Sequence, residues 1–310
     1  MAQERVVFSP QQISVLIEHV RIVERALKEF HELKLLEYCI LRALHLSGKA
    51  VTQTDLVIFL GAAKSTVTER LLSLEDRALI MKTNDADDRR RMIISLTKLG
   101  SELSEKATQD LFTLLKNTFW RTLSNAELFE IQKSANRDHN YMIGLKPDSL
   151  EIQNYGTTTL TASFFLCIIY IIKGWTELIK LESALSLSEF RILAALYDAN
   201  SAMRLVDLST TLIIEKSNIT KYSKSLTTQQ FVTINKSEKD ARSCTLMLSD
   251  KGQKLVERLS LLLNDKNKHL YFTNEEESNL LNAWHMRMYC ELGKIRSKSL
   301  REHLGQTLSA

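Results

Sequence analysis

Apolar positions over residues 11–33 recur at helical spacing among polar ones, which predicts a long amphipathic helix. Leu35 to Leu46 is more continuously apolar and predicts a shorter, more buried helix. Thr52 then precedes QTDLVIFLG, a short helix expected to stop at Gly61. In the next segment Val67, Leu71, Leu74 and Ala78 fall at i, i+4, i+7 and i+11, one stripe of a helix. Its opposite face carries Ser65, Glu69, Leu72, Ser73 and Asp76. The period then changes to two: strands are predicted over Ile80 to Thr83 and Met92 to Leu96, with Met92, Ile94 and Leu96 facing inward. Two long helical patterns follow, from about Thr97 to Arg121 and from Asn125 to Ile143.

The second half of the chain repeats this order. LEYCILRAL, starting at Leu36, aligns with SEFRILAAL, starting at Ser188, at an offset of 152 (Glu37 to Glu189). Without a gap, the same offset pairs Asp55-Leu56 with Asp207-Leu208, Lys64-Ser65 with Lys216-Ser217, and Thr68 with Thr220. It also pairs Asp88 with Asp240, Arg90 with Arg242, and Gly100 with Gly252. A repeat this long is a domain duplication rather than a solenoid. The expected division is 1–145, a linker over 146–157 that carries Pro147 and Gly156, and 158–310. In the second half a helix is predicted near Lys216 to Thr228, with strands near Val232 to Asn235 and Ser243 to Leu248. A last helix starts at TNEEE, where Thr273 or Asn274 can cap.

Short helix, turn, second helix and two-stranded ribbon make the plan of a winged helix-turn-helix. The predicted fold class is therefore mainly α (α+β), with two tandem winged helix-turn-helix repeats. The long flanking helices need a partner surface, and two-fold packing between the repeats would bury them.

Composition narrows the picture further. The 310 residues are 44% apolar and 25% charged, ordinary for a globular protein with two cores. A net charge of +4 permits a nucleic-acid partner without demanding one. Nine glycines and two prolines suit long helices with short connections. The four cysteines form no CxxC pair and the seven histidines form no HExxH, so no metal site or cofactor is expected. No phosphate-cradling glycine loop or GxSxG elbow is present, so the chain is not read as an enzyme. The apolar run Leu160 to Ile172 is shorter than the roughly 20 residues a bilayer span needs and is read as a buried helix. With no signal peptide recognised, a reduced, cytoplasmic protein is expected.

The order TQTDLVIFLGAAKSTVTERLLSLEDRALI, then a strand, then DADDRRRMIISLTKLG, resembles the MarR family of transcription regulators. The likeness covers about residues 10–145 and 158–298. Its most specific part is Asp88-x-Arg90 followed by a strand and Leu96, Thr97 and Gly100. The second repeat keeps Asp240, Arg242, Leu248 and Gly252, with Ser249 in place of the threonine. Two such repeats in one chain are similar to the tandem members of the related Sar group. The resemblance implies a double-stranded DNA operator as partner, long helices forming a pseudo-two-fold dimerisation region, and a monomeric pseudo-dimer. It also implies a small aromatic or anionic effector in a cleft, to which no residue is assigned. Tyr38, His45, Trp120, Tyr170 and Trp175 are aromatic candidates, but such spacing is also that of core residues.

A recognition helix needs small polar residues near its N-terminus so that its backbone can approach the groove. Lys64, Ser65, Thr66 and Thr68 fit in the first repeat. Lys216, Ser217, Asn218 and Thr220 fit in the second, where Asn218 can read an adenine. An arginine at a ribbon tip can enter a narrow minor groove, and an aspartate two residues earlier can hold its guanidinium. That assigns Asp88 with Arg90 and Asp240 with Arg242 to the wing tips and Arg89 and Arg91 to backbone contacts, with Lys239 as the second wing's other cation. The repeats are unequal: Glu69 and Leu72 in the first stand where the second has Lys221 and Lys224. An imperfect palindrome with two different half-sites is expected. The rival reading is a protein-interaction scaffold built from winged helices that no longer bind DNA. Cys167, amid Phe164, Phe165, Ile168 and Ile169, is read as a buried core thiol rather than an oxidant sensor. Cys244 is read as core too.

Overall fold

The computed structural model of the chain describes residues 9–47, 51–85, 91–144, 160–236, 244–267 and 275–295. In chain order, the first repeat contains α1 (Pro10–His31), α2 (Leu35–Ser47), β1 (Val51–Thr52), α3 (Gln53–Leu60) and α4 (Lys64–Asp76). It continues with β2 (Ile80–Asn84), β3 (Met92–Leu96), α5 (Lys98–Asn117) and α6 (Asn125–Met142). The second repeat runs through α7 (Ala162–Ser183), α8 (Leu187–Ala199), β4 (Met203–Arg204), α9 (Leu205–Leu212) and α10 (Lys216–Thr228). It ends with β5 (Val232–Lys236), β6 (Cys244–Leu248), α11 (Asp250–Asn267) and α12 (Glu275–Ile295).

Local chemistry sets several of these boundaries. Thr52 caps α3 with a reciprocal box: its Oγ1 accepts from Asp55 N at 3.2 Å, and Asp55 accepts from Thr52 N at 2.8 Å. Ser124 with Glu127 and Ser186 with Glu189 do the same for α6 and α8. The predicted helix ending at Arg121 stops instead at Asn117, where Thr118 leaves helical geometry. The expected cap at Thr273 or Asn274 lies outside the described residues.

The two sheets have the same topology, β1-β3-β2 and β4-β6-β5, all antiparallel. Ile80 pairs with Leu96 and Val232 with Leu248; Val51 pairs with Ile94 and Met203 with Leu246. Each of these pairs is its counterpart displaced by the sequence offset, so the duplication holds to the level of strand register. The positive-φ residues obey the same rule: Glu32 with Ala184, Gly61 with Ile213, and Ala78 with Gln230.

Four expectations need correction. Ala78 is not on the apolar stripe of α4: the helix ends at Asp76, and Ala78 is an exposed turn residue with φ 53°. Met92 is exposed rather than inward, because it sits at the open end of the ribbon; of its set only Ile94 is buried. Cys244, at the matching place, is half-buried for the same reason. The third strand of each sheet was not predicted, since two residues are too few to show a period. In addition, the apolar run ending at Ile172 continues as helix α7 to Ser183; by length and composition α7 is long and apolar enough to cross a membrane, although 56% of its most apolar window is buried.

The chain divides into two compact units that differ from the sequence repeats. One joins α1 as far as Ile17 to residues Ile171–Gly293. The other holds the rest of α1 through Tyr170, including the start of α7. In the latter, Trp120, Phe164 and Phe165 build an edge-to-face aromatic stack with centroid separations of 5.6 and 5.1 Å. The Trp120 Nε1–H donates to His19 Nε2 at 3.0 Å. Below the stack Tyr38, Phe59, Val67, Leu71, Leu74 and Ile94 fill the core of the helix-turn-helix and its sheet. In the first unit Phe190, Leu193, Leu208, Ile219, Leu226 and Leu246 do the same.

Candidate nucleic-acid interface

The helix-turn-helix of the first repeat is α3, a three-residue turn and α4. Gly61 ends α3 at φ 47°, a left-handed conformation that glycine adopts without steric cost. The site also leaves no room for a side chain: a Cβ at Gly61 would lie 1.4 Å from the Tyr170 hydroxyl. That hydroxyl donates to the Leu60 carbonyl at 2.6 Å, satisfying an orphan carbonyl at the helix end. Burial pushes the Tyr170 phenol up to about 12, so it remains a donor throughout the ordinary pH range.

In the second repeat the turn residue is Ile213, still left-handed at φ 55°. Here the carbonyl of Leu212 accepts from Ser14 Oγ at 3.3 Å and from the buried Arg191 guanidinium. Tyr289 donates to Thr211 O at 2.8 Å. In both units, therefore, the end of the first helix of the helix-turn-helix is tied to a long helix.

Each second helix is held from behind by a buried glutamate. Glu37 Oε1 lies 3.6 Å from Arg70 on α4, and Glu189 accepts from Ser225 Oγ on α10 at 2.6 Å. Burial raises the Glu189 pKa, but the hydrogen bonds from Ser225 and Ser186, together with the Lys221 charge, outweigh it and hold the group below its ordinary value.

The predicted polar residues occupy the first turns of these helices. Lys64 and Ser65 are exposed, and Thr66 and Thr68 are half-buried. Lys216, Ser217, Asn218, Thr220, Lys221 and Lys224 are all exposed. The residues before the helices, Ala63 and Glu215, have the same backbone angles, φ −58° and ψ 139°. Thr68 is less available than its position suggests. Its hydroxyl donates to Lys64 O at 2.8 Å and accepts from Gln53 Nε2 at 2.6 Å. Thr220 likewise donates to Lys216 O at 2.9 Å. Gln53 was missed from the sequence; its signal was its place at the first position of α3.

Of the ribbon residues, Arg91 is exposed, and its guanidinium lies 3.8 Å from Asp85 at the ribbon's open end. Asp88, Arg89, Arg90, Lys239, Asp240 and Arg242 lie outside the described residues. The motif behind the ribbon has a packing role. Thr97 Oγ1 donates to Ala78 O at 2.7 Å and accepts from Gly100 N at 3.0 Å, and Ser249 repeats both bonds with Gln230 and Gly252. A Cβ on Gly100 would lie 1.9 Å from Leu79 O, and one on Gly252 2.2 Å from Phe231 O. The hydroxyl and the glycine together seat the long helix directly on the turn that follows α4 or α10.

The aromatic candidates for an effector cleft are engaged in packing. Tyr38 is buried and bonded to Thr108 at 3.1 Å, Trp175 is buried, and half-buried His45 lies 3.3 Å from Ser101 Oγ. Burial lowers the His45 pKa. Cys167 is buried, and burial followed by the Asp138 charge pushes its thiol well above its ordinary value. Among the described residues, no three histidine, cysteine or acidic side chains are grouped as metal ligands.

Comparison with known proteins gives two family matches, one in each half. The MarR family model matches residues 33–92. The model described as transcriptional regulator SarA/Rot matches residues 175–259. No curated protein matches the chain. Similar solved structures include a MarR family transcriptional regulator from Streptomyces coelicolor in complex with DNA, at 16% identity and TM-score 0.36 over 40% of this chain and 78% of that one. The transcriptional regulator BldR from Sulfolobus solfataricus follows at 22% identity and TM-score 0.32, over 37% of this chain and 84% of that one. Bordetella bronchiseptica BpsR, whose DNA binding is regulated by 6-hydroxynicotinic acid, shows 17% identity and TM-score 0.33, over 39% and 92%.

Proposed function

We propose that this chain, a two-repeat regulator of the MarR type, binds double-stranded DNA as an intramolecular pseudo-dimer and represses transcription from an imperfect palindrome. The observation that carries this reading is the exposed polar start of α4 and of α10, presented twice on the same helix-turn-helix backbone. Each helix enters a major groove with its N-terminal turns. Lys64 and Ser65 contact one half-site, with Thr66 and Thr68 at its edge; Lys216, Ser217, Asn218 and Thr220 contact the other, and Lys221 and Lys224 reach phosphates. The wing pairs Asp88–Arg90 and Asp240–Arg242 address the minor grooves, with Arg89 and Arg91 on the backbone and Lys239 as a further cation of the second wing. The domain assignment 1–145 and 158–310, joined by a linker, belongs to the same proposal, as do a cytoplasmic location and a small aromatic or anionic effector.

Selection of random duplexes by the intact chain should return two unlike half-sites, and sedimentation should give one chain per duplex. Two chains per duplex, or a symmetric site, would remove the pseudo-dimer. Binding that is absent, or insensitive to salt, would favour the scaffold reading.

A further inference from the structure

One surface of the second repeat lies outside the DNA contacts proposed above. A groove of about 630 Å³ lies between the end of α7, the start of α11 and Phe231. Its walls carry Lys180, Lys251, Lys254 and Arg258 against a single carboxylate, Glu182. Lys251 Nζ stands 4.7 Å over the Phe231 ring and donates to Gln229 O at 3.0 Å. Arg258 bonds Glu182 twice, at 3.2 Å to Oε2 and 2.7 Å to the carbonyl. Among the described residues neither Lys180 nor Lys254 forms an ion pair, and both are exposed. Leu181, on the rim, is 82% exposed, the most exposed large apolar side chain described.

At the equivalent positions the first repeat keeps a cation at two of the four basic sites, Lys28 for Lys180 and Lys106 for Arg258. Where the second has Leu181, Ala184, Lys251 and Lys254, the first has Glu29, Glu32, Leu99 and Glu102. Three of these changes remove an acid, and two introduce a lysine. Because both repeats fold alike, the fold itself requires neither Lys251 nor Lys254.

We propose that this groove docks a short acidic segment of a partner protein that carries an apolar side chain. Lys251, Lys254 and Arg258 share one face of α11 and span about 10 Å, the length of roughly three residues of extended peptide. Carboxylates on that peptide face the unpaired Lys254 and Lys180, and its apolar side chain packs on Leu181 and Phe231. DNA is the less favoured occupant. Lys251 is anchored to the C-terminal end of α10, about 20 Å along a 13-residue helix from the end proposed to enter the groove. The proposal does not depend on DNA binding.

The test is fluorescence anisotropy with the full chain and a labelled decapeptide of alternating glutamate and leucine, against the same peptide with lysine for every glutamate. The acidic peptide should bind and the basic one should not. K180E/K254E should weaken binding by about tenfold, as expected where like charges oppose each other across an interface. K254R should retain binding, L181S should lose several-fold, and duplex DNA affinity should be unchanged. Both lysines are exposed, and a thermal melt checks that each variant folds. The proposal is overturned if the two peptides bind alike, or if K180E/K254E binds as the wild type does. It is equally overturned if that variant flattens the salt dependence of DNA binding, which would make the groove a DNA surface. A light-scattering mass that falls from dimer to monomer in the same variant would assign it to a second copy.

Discussion

The two repeats share a backbone and differ on its surface. Gly61 and Ile213, Ala78 and Gln230, and Glu32 and Ala184 hold the same left-handed turns, and the sheets match in register. Positions that build this backbone kept their chemistry: the hydroxyl of Thr97 or Ser249, the glycine at 100 or 252, and the buried Glu37 or Glu189. Positions that face solvent diverged freely, including Glu69 to Lys221 and Leu72 to Lys224. The comparison separates what folding needs from what binding can vary.

The largest effect should come from the shared contacts. Gly100→Ala forces a Cβ into a backbone carbonyl that cannot rotate away, and should cost about 3 kcal/mol, the upper end for overpacking. Gly252→Ala should cost nearly as much, since its clash distance is 2.2 Å rather than 1.9 Å. Urea midpoints for the two variants would show whether the repeats depend equally on this seat; a mild effect in either would break the equivalence.

A smaller effect depends on pH and has a source in each repeat, His139 and His285. His139 is buried, its Nδ1 lies 3.1 Å from Ser163 Oγ, and burial lowers its pKa from 6.5 to about 4, with the Phe59 backbone opposing. The unfolded chain therefore binds this proton more readily. The stability that His139 preserves is complete above about 6.5 and is lost as pH falls toward 4. On going from neutral pH to about 4.5 the wild type should lose on the order of 2 kcal/mol more than His139→Gln. The second repeat has buried Glu291 at this place but carries its own histidine on α12, His285, whose pKa burial likewise lowers to about 4, so His139→Gln removes only the first repeat's share. Equal pH dependence in both proteins would refute the assignment.

Next comes the asymmetry of the reading helices. Lys221→Ala with Lys224→Ala should lower the slope of log affinity against log salt by about 0.9 per lost phosphate contact. Glu69→Lys with Leu72→Lys should raise it by a similar amount. If the slope does not move in the first pair, α10 does not lie along the phosphates as proposed. The smallest effect concerns the turns. Ile213→Gly relieves a β-branched residue held at φ 55° and should stabilise by about 0.5 kcal/mol after the entropy of the unfolded chain is counted. Thermal melts in which this variant is less stable would mean that the Ile213 side chain contributes more by packing than its backbone costs.

Most of the fold was legible because its signals are local. The stripe of Val67, Leu71 and Leu74, the Thr52–Asp55 and Ser186–Glu189 boxes, and the alternation in β3 lie within a few residues of one another. What was misread lay at ends. Ala78 continued the helical period into a turn, and Met92 and Cys244 continued the strand period into solvent. Periodicity says which side a residue takes, not whether anything covers that side. The candidate site divides in the same way. The exposed set on α4 and α10 was readable, but the commitment of Thr68 to Gln53 was not, because it needs two helices placed against each other.

By itself the amino-acid sequence determined the duplication and the order of elements, since each is written in spacing along one chain. Tertiary structure decided the remainder. It showed that Gly100 and Gly252 seat a long helix against a backbone carbonyl, and that Tyr170 closes the end of α3 from 110 residues away. It also gathered four cations from two helices into one groove in the second repeat. These are contacts between residues far apart in the chain, where packing sets the distance and no local pattern records it.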